Sequence, residues 1–138
     1  MVIGGTSAGM AVQGQYYFSA QNGTITSATA LSNPYDANMT VDSTSFIANH
    51  FLKDVITDTH YDDPDRKGRH VAFLARMLMD YGIRGKGIAC DEYTAVCIDT
   101  MGKASVYGQH PTYDDNAYFI QVNCELLNLF PEDCSAGN

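Results

Sequence analysis

The sequence predicts an α/β fold, and three observations carry that prediction. The apolar run Met1–Gly4 enters a Gly-Gly turn and then a helix-like stretch of small residues, Ser7–Gln13. A short strand over Asp54–Asp58 precedes the clearest helix of the chain, about Arg66–Tyr81. The remainder is rich in strand-forming residues, with candidate strands at 87–90, 94–99, 104–107 and 118–122.

Each element has a local reason. Met1–Gly4 reads as the end of a buried strand, because its apolar residues run straight into the glycines. Residues 14–52 are rich in Ser, Thr, Asn and Gly, with Asn33-Pro34 as a turn signal, and read as a long excursion passing over an active site. In the long helix Val71, Leu74 and Leu78, with Phe73 and Met77, recur at helical steps. Asp63 or Asp65 is placed to cap its start, and Gly82 to end it. Met101-Gly102-Lys103 reads as a hairpin turn. The domain is expected over residues 1–130, with 131–138 as a frayed tail.

Length and composition narrow the function. The chain has 138 residues, 45% apolar and 17% charged, which suits one globular domain. A formal charge of −8 argues against nucleic acid as a partner, since phosphate binding needs a basic surface. No apolar run approaches the ~18–20 residues that cross a bilayer, so no membrane partner is expected and a cytoplasmic location is. The four cysteines, Cys90, Cys97, Cys124 and Cys134, form no CxxC pair and have no histidine at zinc-finger spacing. Neither a cofactor nor a metal is expected. Cys90 and Cys97 read as buried, inert thiols.

The residues able to do chemistry begin with Gly5-Thr6-Ser7-Ala8-Gly9. A Gly-x-Ser-x-Gly segment between strand and helix is the setting of a nucleophile elbow, in which small flanking residues at Gly5 and Gly9 let the backbone close tightly. The helix after it would aim its dipole at the site, and the Ala8 N–H would be one oxyanion donor. A glycine-rich turn that binds phosphate, or simply packs tightly, fits the same five residues. A serine needs a base. Among His50, His60, His70 and His110, the strand-end position favours His60. His70 reads as a surface residue of the helix and His50 as a satisfied core histidine. Asp91-Glu92, at the end of another strand, supplies carboxylates that could orient the imidazole or lie in a solvated turn.

Taken in order, Gly4-Gly5-Thr6-Ser7-Ala8-Gly9, Thr57-Asp58-Thr59-His60-Tyr61, Arg66-x-Gly68-Arg69 and Gly87-Ile88-Ala89-Cys90-Asp91-Glu92-Tyr93-Thr94-Ala95 resemble the S51 serine peptidase family, in particular its cyanophycinase-like members. The resemblance implies a doubly wound, mostly parallel sheet like that of class I glutamine amidotransferases. It implies Ser7 as nucleophile, His60 as base and Glu92 as the acid, acting on aspartyl or isoaspartyl peptide bonds. Arg66 and Arg69 would hold substrate carboxylates, with Asp58 and Thr59 beside them. Thr59 and Pro64 depart from the pattern, standing where the family carries glutamine and arginine. Asp62, Asp63 and Asp65 enrich the same loop in acid, read as a solvated, capped loop ahead of a metal site.

The nucleophile strand is internal in such a fold, so this chain is expected to lack its N-terminal half. The expected partners are a peptide substrate and either a second copy of the chain or the missing half. A competing reading is a catalytically inactive relative that binds acidic peptides or a partner chain.

Overall fold

The computed structural model describes residues 2–43, 47 and 49–123, and the expected tail lies outside them. Its centre is strand β3 (Val55–Thr59), buried at every position, which pairs in parallel with β4 (Lys86–Cys90). Strand β7 (Ala117–Gln121) lies antiparallel on the other side of β4, giving the order β3-β4-β7. A single parallel bridge from Tyr16 to Ile56 extends the pairing on the free side of β3.

Two smaller sheets flank this one. Strands β1 (Tyr17–Phe18) and β2 (Val41–Asp42) pair antiparallel, as do β5 (Ala95–Ile98) and β6 (Ala104–Tyr107). The β5–β6 turn forms as the sequence suggests. The Asp99 carboxylate accepts from the N–H groups of Met101 and Lys103, and Gly102 takes φ 80°, where a side chain would be strained. Together these elements make a small mixed α/β arrangement.

Helix α3 (Lys67–Tyr81) lies on one face of β3 and β4. Gly82 ends it in the left-handed conformation, as expected. Asp65 accepts from the Lys67 N–H, and the Ser27 hydroxyl accepts from that of Arg69. The buried stripe is His70, Phe73, Leu74 and Met77, so two sequence expectations are corrected. His70 is buried and Val71 is exposed. Once Phe73, Leu74 and Met77 set the helix rotation, the 3.6-residue period puts position 70 on the inner face.

The core joins this stripe to Ile56 and to Tyr16, Ile25, Ala30 and Met39 from the segment before β3. Helix α2 (Ser27–Ser32) packs beside Gly68 of α3, where any added side-chain atom would meet Ser27 and Leu31. Most of the excursion over residues 14–52 therefore covers α3 rather than the candidate site. Of its described residues only the end, from Asn49 through the 3₁₀ turn His50–Leu52, reaches the cleft described below, and His50 is exposed rather than in the core.

The strand expected at Met1–Gly4 does not form over residues 2–4, and Val2 is 99% exposed. A strand needs a partner for its N–H and C=O groups, and no described strand pairs with this segment. Helix α1 (Ala8–Ala11) is correspondingly short. The chain must leave it to reach β3, and at Gly14 the backbone passes so close to Val55 that a side chain there would collide with its carbonyl. Among the described residues no helix is long and apolar enough to cross a membrane.

Candidate functional site

Alternation along β3 sends successive side chains to opposite faces. Thr57 and Thr59 line a cleft of about 350 Å³, whereas Asp58 turns towards α3. The cleft is closed by the Gly4–Ser7 turn, by Ile88 and Cys90 of β4, and by residues 91–96 with Ile98. Its floor is the C-terminal end of two parallel strands, with Thr59 opposite Cys90. Side chains that follow such ends converge above the sheet.

Ser7 arrives from the other side of the cleft. It precedes α1 with φ 51° and ψ −125°, a backbone state that costs a non-glycine residue ~1–3 kcal/mol and persists only when neighbours impose it. Two features impose it here. A side chain at Gly5 would run into the Gly9 backbone, and the Thr57 hydroxyl donates to the Met10 carbonyl at 2.7 Å, tying the turn to β3. Gly9, expected to need the same small size, has an open Cβ direction instead.

His60 follows β3 with φ 50°, and its Nε2 lies 3.1 Å from the Ser7 hydroxyl oxygen. Its Nδ1 meets the Glu92 carboxylate in a short contact. Glu92 comes from the turn after β4. The two contacts assign the proton: Nδ1–H donates to Glu92, which leaves Nε2 to accept from the Ser7 hydroxyl. The imidazole and carboxylate side chains are 41% and 34% exposed, open enough for a ligand to reach them. Ala8 is the first residue of α1, so its N–H has no acceptor inside the helix. With four residues, α1 carries far less dipole than the sequence suggested.

The expected substrate-binding residues separate into two groups. Asp58 and Arg69 are corrected as ligand contacts. They are 2% and 5% exposed and form a bidentate pair, Nε to Oδ2 at 2.8 Å and Nη2 to Oδ1 at 2.5 Å. The Arg69 guanidinium also lies over the rings of Phe18 and Phe73. The rotation of α3 buries Arg69 and strand alternation turns Asp58 to meet it, so both lie away from the cleft. Thr59 lines the cleft, and its carbonyl accepts from Arg66 Nη1 at 3.0 Å. Arg66 stays partly exposed, and its Nε makes no hydrogen bond.

The described thiols are Cys90 and Cys97. The Cys90 side chain is buried, and burial, with the nearby Asp91 charge, pushes its pKa up to about 11, so it stays protonated at neutral pH. Cys97 is exposed, contrary to expectation, because the β5–β6 hairpin stands apart from the main sheet.

Sequence reasoning missed two features. Tyr93 and Tyr113 stack face to face, centroids 4.1 Å apart, at the rim beside Glu92. Asp62, Asp91 and Asp115 bring carboxylate oxygens within 4.8 Å of one another. The acidic loop was visible in the sequence, but its convergence with Asp115 depends on the return of β7. Comparisons with protein-family models, curated proteins and solved structures find no significant match to this chain.

Proposed function

We propose that this chain carries the active centre of a serine-type peptidase with Ser7 as nucleophile, His60 as general base and Glu92 as the group that orients and stabilises the imidazole. The observation that supports it most is the hydrogen-bonded line from Ser7 through His60 to Glu92, drawn from three separate segments of the chain. Structural histidines are common, but an imidazole bridging a serine in a strained turn and a carboxylate has the geometry of nucleophile activation.

In this reading Ser7 attacks an amide carbonyl while His60 Nε2 takes its proton. Glu92 steadies the imidazolium, and His60 then protonates the leaving amine. The Ala8 N–H donates to the tetrahedral oxyanion. The aspartyl preference implied by the motif resemblance now rests on Arg66, which stays partly exposed, because Arg69 is committed to Asp58. The cytoplasmic location belongs to the same proposal, and the free thiols of Cys90 and Cys97 fit it.

A fluorophosphonate probe tests the centre directly. Labelling is expected on the peptide that carries Ser7 and is expected to vanish in His60→Ala. Modification at another serine, or equal labelling of that variant, would overturn the assignment.

A further inference from the structure

We infer that Asp62, Asp91 and Asp115 form a binding site for a divalent cation, with calcium the best-fitting ion, at the base of the turn that carries Glu92. Three separate segments supply the ligands. Asp62 follows β3, Asp91 follows β4 and Asp115 precedes β7, and their oxygens lie within 4.8 Å of one another. Calcium binds oxygen at ~2.3–2.6 Å, so oxygens sharing one ion lie no more than about 5 Å apart.

The second observation is the state of Asp91. It is 4% exposed, and its Oδ2 already accepts from the Asn116 N–H at 2.8 Å and the Tyr118 hydroxyl at 3.2 Å. Its Oδ1 is buried with no hydrogen-bond partner. A buried carboxylate oxygen without a donor is costly, and a cation removes that cost. The ion pairs among the described residues involve none of the three aspartates. Glu92 and Asp114 add further negative charge around Asp115. The ligands are all hard oxygens, which selects calcium or a similar ion over zinc or copper. The exposure of Asp62 leaves room for water to complete the shell.

Binding here would join the ends of β3, β4 and β7 beside Glu92, whatever the chemistry above them. Terbium is the probe, excited through tyrosine, since the Tyr118 hydroxyl touches Asp91. The expected result is saturable terbium emission displaced by calcium, with a rise in Tm on adding calcium to the metal-free protein. Asp115→Asn should weaken terbium binding at least tenfold while leaving the fold intact, and Asp62→Asn should act likewise. Asp63→Asn, in the same acidic loop but outside the trio, should bind as the parent does. Absence of saturable emission, or equal weakening by Asp63→Asn, would overturn the site.

Discussion

The two faces of the β3–β4 pair treat polar groups in opposite ways. Towards α3, Asp58 and Arg69 are sealed in a bidentate pair, and His70 sits between the Tyr61 hydroxyl and the Ile56 carbonyl with no solvent exposure. Towards the cleft, Ser7, His60 and Glu92 make contacts of similar geometry but stay open to water. The chain passes from one regime to the other within three residues, Asp58, Thr59 and His60. Strand alternation separates Asp58 from Thr59, and the positive φ of His60, just past the end of β3, brings its side chain to the cleft instead of back to the Asp58 face. An acid two residues before a histidine thus need not serve it. On the sealed face the polar groups fix how α3 docks, while on the open face they are held in position without being used up.

The comparison breaks most sharply at Glu92. On the proposed mechanism, Glu92→Gln lets the amide hold the imidazole in the wrong tautomer, and kcat is expected to fall on the order of 10⁴-fold. Because that side chain is about one-third exposed, the melting temperature should barely move. Steady-state hydrolysis of the best cleaved peptide, with a melting curve on the same preparation, checks both halves. Asp58→Ala should do the reverse. It leaves the Arg69 guanidinium buried without its partner, a loss expected at about 3–5 kcal/mol in urea denaturation. At a temperature where the variant is folded, kcat should change little. The double variant Asp58→Leu/Arg69→Met should recover most of the lost stability, since neither charge is then stranded. If Asp58→Ala abolished turnover in folded protein, the two faces would not be separate.

Much of this division was legible in the sequence, for reasons that differ by residue. Ser7, His60 and Glu92 each sit beside a turn or strand end that local pattern identifies, so the chain announces where they emerge. The β5–β6 hairpin was legible from Met101-Gly102-Lys103, because turn chemistry is local. What stayed hidden depends on rotation and return. The inward placement of His70 and Arg69 follows from the setting of α3 against β3, and a stripe counted from Val71 turns that setting by one position. The path of residues 14–52 was misplaced because short elements joined by polar turns carry no signal of which face they cover. Asp115 could not be joined to Asp62 and Asp91 until β7 paired antiparallel with β4.

The gentlest probe is acid. His70 is fully buried, and burial lowers its pKa below the ordinary ~6.5, against an opposing pull from the Asp58 charge and the hydrogen bond to Ile56. The neutral ring suits its partners, with Nε2–H donating to the Ile56 carbonyl and Nδ1 accepting from the Tyr61 hydroxyl. A depressed folded-state pKa means that the unfolded chain takes up the proton first. The stability contributed by this group is therefore complete above about pH 6.5 and declines as the pH falls below it, by no more than about 1.4 kcal/mol per pH unit. His70→Gln keeps a donor and an acceptor but cannot titrate. Its stability, followed by tyrosine fluorescence in urea at stepped pH, is expected to fall less steeply below pH 6.5 than that of the parent. Parallel curves would mean that His70 is not where the fold responds to protons.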